Sequence, residues 1–114
     1  MKKNPQVYID HILDCIHHIG IYTANLTKED FLKSDQIQDA VFRRLEIIGE
    51  AASKLPEELR QKNPEIPWRD IIGTRNRLIH DYLEIDRDLI WQIIVKHLPE
   101  LKKKITEISG RLNI

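Results

Sequence analysis

Apolar residues recur at every third or fourth position along most of this chain, and that period most constrains what it can fold into. Ile9, Ile12, Leu13, Ile16 and Ile19 make one stripe. Ile37, Val41, Leu45, Ile48, Ala52 and Leu55 make a second. Leu89, Ile90, Ile93, Ile94, Leu98, Leu101, Ile105 and Ile108 make a third. Spacings of three and four return a side chain to the same face of an α-helix, so each stripe marks an amphipathic helix. No strand-like alternation of useful length interrupts them, and 4 Gly and 5 Pro are too few for the turns of an all-β chain.

Local signals set the expected boundaries. Gly20 and Asn25 weaken the end of the first helix. Thr27-Lys28-Glu29-Asp30 opens a short capped turn that carries Phe31 and Leu32. Ser34 or Asp35 caps the second long helix, and Pro56 stops it, because proline lacks the N–H donor and crowds the preceding turn. Pro56, Pro64 and Pro67 surround the polar run Glu57 to Lys62, which reads as a short helical turn and a loop. Pro67 suits the first position of a third helix, with Trp68, Ile71, Ile72, Leu78 and Ile79 as its apolar contacts. Asp86 caps a fourth helix, with a kink or break expected at Pro99. The expected fold is all-α, an antiparallel helical bundle of four to five helices forming one domain over residues 1–114.

Composition removes several function classes. Lys plus Arg equals Asp plus Glu at 18 each, so no general polycationic coat faces nucleic acid, and an anionic partner must meet a local patch. The single cysteine, Cys15, excludes an internal disulfide and fits a reducing compartment. No signal peptide is visible, and no apolar run approaches the ~18 residues a membrane span needs. A soluble, cytoplasmic protein without membrane contact is expected. Charge is nevertheless uneven: Arg60, Lys62, Arg69, Arg75 and Arg77 face only Glu65 and Asp70 within residues 60–77. That excess is either a solvated face or the surroundings of an anion site.

The segment Gly73-Thr74-Arg75-Asn76-Arg77-Leu78-Ile79-His80-Asp81-Tyr82 carries the most chemistry. Asn76 and His80 are four apart, so on a helix they share a face and can hydrogen-bond, fixing the imidazole tautomer. Arg75 and His80 are five apart, roughly 140° round an ideal helix. They converge if the helix ends near His80, if the arginine side chain wraps round, or if two subunits pool their copies. Metal-free cleavage of a phosphodiester needs a group to remove the ribose 2′-OH proton, one to protonate the leaving 5′-oxygen, and a fixed cation for the charge between them. Histidine serves as acid or base near neutral pH, and arginine grips phosphate oxygens with paired donors. Such a site cuts RNA and not DNA, leaving a 2′,3′-cyclic phosphate and a 5′-hydroxyl. With 8 Arg and 5 His in the chain, one such spacing is expected about once by chance, so spacing alone decides nothing.

Other candidates carry less. His11, Cys15, His18 and Tyr22 read as one semi-polar face of the first helix. It suits a subunit contact, or a zinc ion that would lack an obvious fourth ligand. Asp39, Arg43, Glu46 and Glu50 form a charged face along the second long helix. Trp68 and Trp91 read as core or interface anchors, since no stacked platform for bases accompanies them.

Several motifs in order resemble the HepT family of HEPN-domain toxins. They are Gln38-Asp39-Ala40-Val41-Phe42-Arg43-Arg44-Leu45-Glu46-Ile47-Ile48-Gly49-Glu50-Ala51-Ala52, then Pro64-Glu65-Ile66-Pro67-Trp68-Arg69-Asp70-Ile71-Ile72-Gly73 running on to Tyr82, then Trp91 and Leu98-Pro99-Glu100-Leu101-Lys102. The likeness spans nearly the whole chain. The family motif is Arg, a polar residue, some three residues, then His-x-Tyr; Arg75, Asn76, His80 and Tyr82 match it without departure. The resemblance implies an α-helical HEPN fold, a homodimer or higher even-numbered oligomer with its site at the dimer interface, and an endoribonuclease toxin acting on RNA without metal or other cofactor. It implies catalysis by Arg75 and His80, support from Asn76, and a partner: an MntA-type minimal nucleotidyltransferase antitoxin that attaches AMP to Tyr82. A bulky anion there would exclude substrate phosphate. It also brings the second long helix near the motif, so Asp39, Arg43 and Glu46 are candidates to surround Arg75 and His80. The alternative is a non-catalytic helical adaptor that binds a nucleotidyltransferase, its motif holding phosphate without cutting.

Overall fold

Asn4 starts the helical path by accepting the backbone N–H of Gln6 at 2.9 Å, with Pro5 filling the first helical position. The computed structural model describes residues 4–112, and no strand occurs among them. Helix α1 runs Pro5–Thr23. Helix α2, Lys28–Lys33, opens with a full capping box in which Thr27 accepts from Asp30 and Asp30 accepts from Thr27. Helix α3, Asp35–Lys54, is capped by Ser34, which accepts the Ile37 N–H, and it ends just before Leu55 and Pro56. Helix α4 is Glu57–Lys62 and α5 is Trp68–His80, with Pro67 one position earlier than expected, as the cap residue. A 3₁₀ turn, Tyr82–Glu84, leads to α6, Arg87–Gln92, capped by Asp86. A π turn, Ile93–His97, joins α6 to α7, Leu98–Leu112.

Pro99 does not break the last helix. In the π turn the Leu98 N–H bonds to the Ile93 carbonyl, five residues back. The helical path therefore runs on unbroken through Pro99, which falls in the first turn of α7, directly after the wider turn.

Helix α3 is the central element: it packs against α1 on one side and α5 on the other, while α7 packs on α1. The stripes meet in one core built from Ile9, Ile12, Ile16 and Ile19 of α1, Val41, Leu45, Ile48 and Ala52 of α3, and Ile105 and Ile108 of α7. The loop before α5 is pinned rather than slack. Asn63 is buried, donates to the Leu59 carbonyl at 2.8 Å and accepts from Arg111 at 2.7 Å, while the Trp68 indole donates to the Asn63 carbonyl at 3.0 Å. These bonds fix where α5 begins and hence where its far end points.

Two members of the apolar pattern leave the core. Leu89 is 43% exposed and Ile79 49% exposed. The pairs Leu89–Ile90 and Ile93–Ile94 are each too wide for one buried stripe; Ile90 and Ile94 take the core side. Leu89 and Ile93 instead line an open groove of 1370 Å³ between α5 and residues 87–112, with Ile48 and Ile72 in its lining and Asn76 and Arg77 at its edge. No helix among the described residues is long and apolar enough to cross a membrane.

Candidate functional site

The site begins with a glycine. Gly49 lies in the interior of α3, where glycine costs about 1 kcal/mol relative to alanine. A Cβ added there would stand 2.3 Å from Arg75 Cβ and 3.1 Å from the Ile71 carbonyl oxygen. Its bare backbone lets α5 press against α3 at Arg75. The guanidinium then continues to the surface, where Nη2 lies 2.8 Å from Glu50 Oε2 and Nη1 donates to Asn76 Oδ1 at 3.2 Å. Arg75 Nε is buried without a partner. An unpaired buried donor of that kind costs about 1–3 kcal/mol, a penalty that asks for a reason.

Asn76 therefore meets Arg75 and not His80, although four-residue spacing allows the latter. His80 is the last residue of α5; the chain leaves the helix at Asp81, whose N–H closes on the Arg77 carbonyl at 2.8 Å. The imidazole is exposed. Among the described residues, no hydrogen bond or ion pair joins Arg75 to His80 within one chain. The helix does end at His80, the first of the arrangements under which the two side chains could converge.

Tyr82, one turn on, is held firmly. Its hydroxyl donates to Asp39 Oδ1 at 2.5 Å, its ring meets Phe42 edge-on at 5.8 Å, and the Arg87 guanidinium lies over it at 5.7 Å. Arg87 is itself anchored by Nε donating to Gln38 Oε1 at 2.7 Å, and Gln38 is buried and donates to the Phe31 and Leu32 carbonyls. Asp39, a candidate to surround Arg75 and His80, accepts from Tyr82, two residues beyond His80. Arg43 and Glu46, candidates for the same surroundings, pair with each other at 3.3 Å. Glu50, seen in the sequence only as part of a charged face, is the carboxylate that reaches Arg75. Arg87 lies in no motif, and Gln38 and Gly49 stand in the stretch 38–52 without a role of their own; a lone glycine inside a strong helical pattern is the one signal available for Gly49.

The hydrogen bond to Asp39 holds the Tyr82 phenol above its ordinary range, with the carboxylate charge acting in the same direction and Arg87 against it. A raised phenol favours the folded state while it stays protonated. Its contribution is thus complete below the ordinary value of 10.0 and is lost as pH rises through the raised one. Subtracting the ultraviolet titration of Tyr82→Phe from that of the wild type should isolate one late-ionising phenol. In Asp39→Ala that phenol should ionise earlier; an unmoved curve would rule out the carboxylate as the cause.

The polar face read along α1 divides. Cys15 is 2% exposed and belongs to the core, whereas His11 is exposed. Burial pushes the Cys15 thiol up, against the thiolate that zinc requires, though Arg44 Nη1 at 3.9 Å opposes the shift. Arg44 also donates to the Tyr22 hydroxyl at 3.3 Å, and His18 lies 3.4 Å from Asp14. No cluster of three or more His, Cys, Asp or Glu side chains placed to hold a metal occurs among the described residues.

The family described as "Ribonuclease HepT-like" matches residues 12–108. A protein described as a probable ribonuclease HepT from Thermococcus cleftensis is 37% identical across 95% of this chain and 98% of its own length. A putative RNase of Caldanaerobacter subterraneus subsp. tengcongensis is 41% identical across 93% of this chain and 95% of its own. A Methanocaldococcus jannaschii protein described as a gamma-glutamylcyclotransferase and putative RNase is 42% identical across 99% of this chain, which spans 51% of that relative. No solved structure matches the chain.

Proposed function

The chain belongs to the HepT-like ribonuclease family of HEPN proteins, and from that premise we propose that it is a metal-independent endoribonuclease toxin. Its site pools Arg75 and His80 from two copies. The observation that carries this reading is the end of α5: a guanidinium seated against α3 and an exposed imidazole stand five residues apart, on the helix turn that leads to Tyr82.

The chemistry follows from those groups. One His80 removes the 2′-OH proton of the substrate ribose, and the freed oxygen attacks the adjacent phosphorus. The other His80 protonates the departing 5′-oxygen. Arg75 holds the phosphate and opposes the charge that builds on its free oxygens. Asn76, bonded to Arg75, steadies the guanidinium or meets the phosphate directly. The second copy has a place to dock: the groove between α5 and residues 87–112 leaves Ile72, Leu89 and Ile93 uncovered. Asn76 links that groove to Arg75 by lining the one and bonding the other. The assembly is a homodimer or a higher even-numbered oligomer.

Tyr82 is the modification site in this reading. A nucleotidyltransferase antitoxin of the MntA type attaches AMP to its hydroxyl, and the added phosphate repels the substrate backbone. Exposure of Tyr82 at 41% and its position two residues beyond His80 support that role.

The test is incubation of the purified chain with end-labelled RNA in EDTA. Cleavage to 5′-hydroxyl and 2′,3′-cyclic phosphate ends is expected, with DNA of the same sequence left intact. Cleavage that stops in EDTA and returns with magnesium, or that leaves 5′-phosphate ends, would overturn the mechanism. No cleavage at all would leave a phosphate-holding adaptor as the reading.

A further inference from the structure

Arg75 is held in an unusual way for an arginine offered to an anion. Its Nε is buried with no partner, so the guanidinium takes no orientation from that end. What fixes the plane is Asn76 at Nη1, 3.2 Å, and Glu50 at Nη2, 2.8 Å. Asn76 is the next residue on the same helix and moves with Arg75. Glu50 stands on α3, across the helix contact that Gly49 makes possible, and is the only one of the two that ties the guanidinium to a second element. The ion pair stays at the surface, with side-chain exposures of 30% for Arg75 and 50% for Glu50, so a phosphate can still reach it. A carboxylate beside an anion-binding arginine repels the anion and weakens its capture. Its presence makes sense where aim matters more than grip.

We propose that Glu50 is a positioning residue for the reaction: it fixes the Arg75 guanidinium against α3 so that its remaining N–H groups meet the scissile phosphate in the transition state. This deepens the ribonuclease reading and rests on it. Glu50 acts through Arg75 and touches no reacting atom. Its removal should therefore separate rate from binding, because lost aim lowers the rate of the bound complex while lost repulsion leaves binding equal or tighter.

Single-turnover cleavage of end-labelled bulk cellular RNA by the full chain, over a range of protein concentrations, reads the two apart. In Glu50→Ala the limiting rate should fall about ten- to a hundredfold, with the half-saturating concentration unchanged or lower. Glu50→Gln, whose amide oxygen can still accept from Nη2, should recover most of the rate. An unchanged limiting rate in Glu50→Ala beside a crippled Arg75→Ala overturns the assignment, and so does a faster rate in both Glu50 variants. Where Arg75→Ala is itself unimpaired, it is the ribonuclease reading that fails. The contact is then judged alone, by heteronuclear NMR of the Arg75 side-chain N–H, identified by its loss in Arg75→Lys. Loss of that signal in Glu50→Ala and its retention in Glu50→Gln support the hold of Glu50 on the Arg75 guanidinium; an unaltered signal in Glu50→Ala overturns it.

Discussion

Replacing His80 with alanine should lower RNA cleavage by about two to four orders of magnitude, the usual contribution of a positioned acid or base, and leave the melting temperature where it was. Both halves follow from its position. His80 closes α5 with its side chain in solvent and no side-chain hydrogen bond among the described residues, and such surface positions change stability by no more than about 0.5 kcal/mol. Arg75→Ala should be equally inactive. Arg75→Lys should not rescue it, because an ammonium cannot reproduce the planar fork of donors. The inactive His80→Ala chain also makes a sharper experiment. If one phosphate needs His80 from both copies, refolding wild-type chain with an excess of His80→Ala puts most wild-type chains into mixed dimers with a single His80, and cleavage falls well below what the same amount of wild-type chain gives alone. A site complete within one chain keeps its cleavage on mixing. Cleavage at the wild-type level by His80→Ala would remove histidine from the mechanism.

How legible this was depends on the distance over which each feature acts. The stripes of α1, α3 and α7, the Thr27–Asp30 capping box, the Ser34 cap and the stop at Pro56 are governed by residues within four positions of one another, and the sequence displays them. The motif from Arg75 to Tyr82 is equally local. What escaped is set between elements. A spacing of four allows Asn76 to reach His80, but the neighbouring guanidinium, turned toward Glu50 by the press of α3, claims the amide first. The Asp39–Tyr82 bond spans 43 positions, and nothing in either local sequence announces it. Period reveals that Leu89 and Ile79 are apolar, not what covers them. At Pro99 the sequence predicts a kink or a break, because proline disfavours an ordinary helical turn; the π turn ahead of it supplies a different register, which apolar spacing does not encode.

Gly49→Ala should damage both stability and cleavage, against every expectation from helix propensity. Alanine favours a helix interior by about 1 kcal/mol over glycine, and Gly20→Ala in α1, where a new Cβ meets nothing within 4 Å, should gain some of that. At position 49 the new Cβ lies 2.3 Å from Arg75 Cβ and 3.1 Å from the Ile71 carbonyl. Neither is the free end of a flexible side chain, so α3 and α5 must separate. Overpacking of this kind costs about 1–3 kcal/mol, more than the propensity gain over most of that range. For a domain near this size each kcal/mol moves the melting temperature by about 4–8 °C, so a fall of several degrees beside a steady or rising Gly20→Ala is readily measured by circular dichroism. The shift acts on function through the same contact. Moving Arg75 away from α3 by a fraction of an ångström also moves it from Glu50, and misplacement approaching 1 Å can cost about a hundredfold in rate. A Gly49→Ala chain as stable and as active as Gly20→Ala would mean that the close seat of Arg75 on α3 is not what prepares it for phosphate.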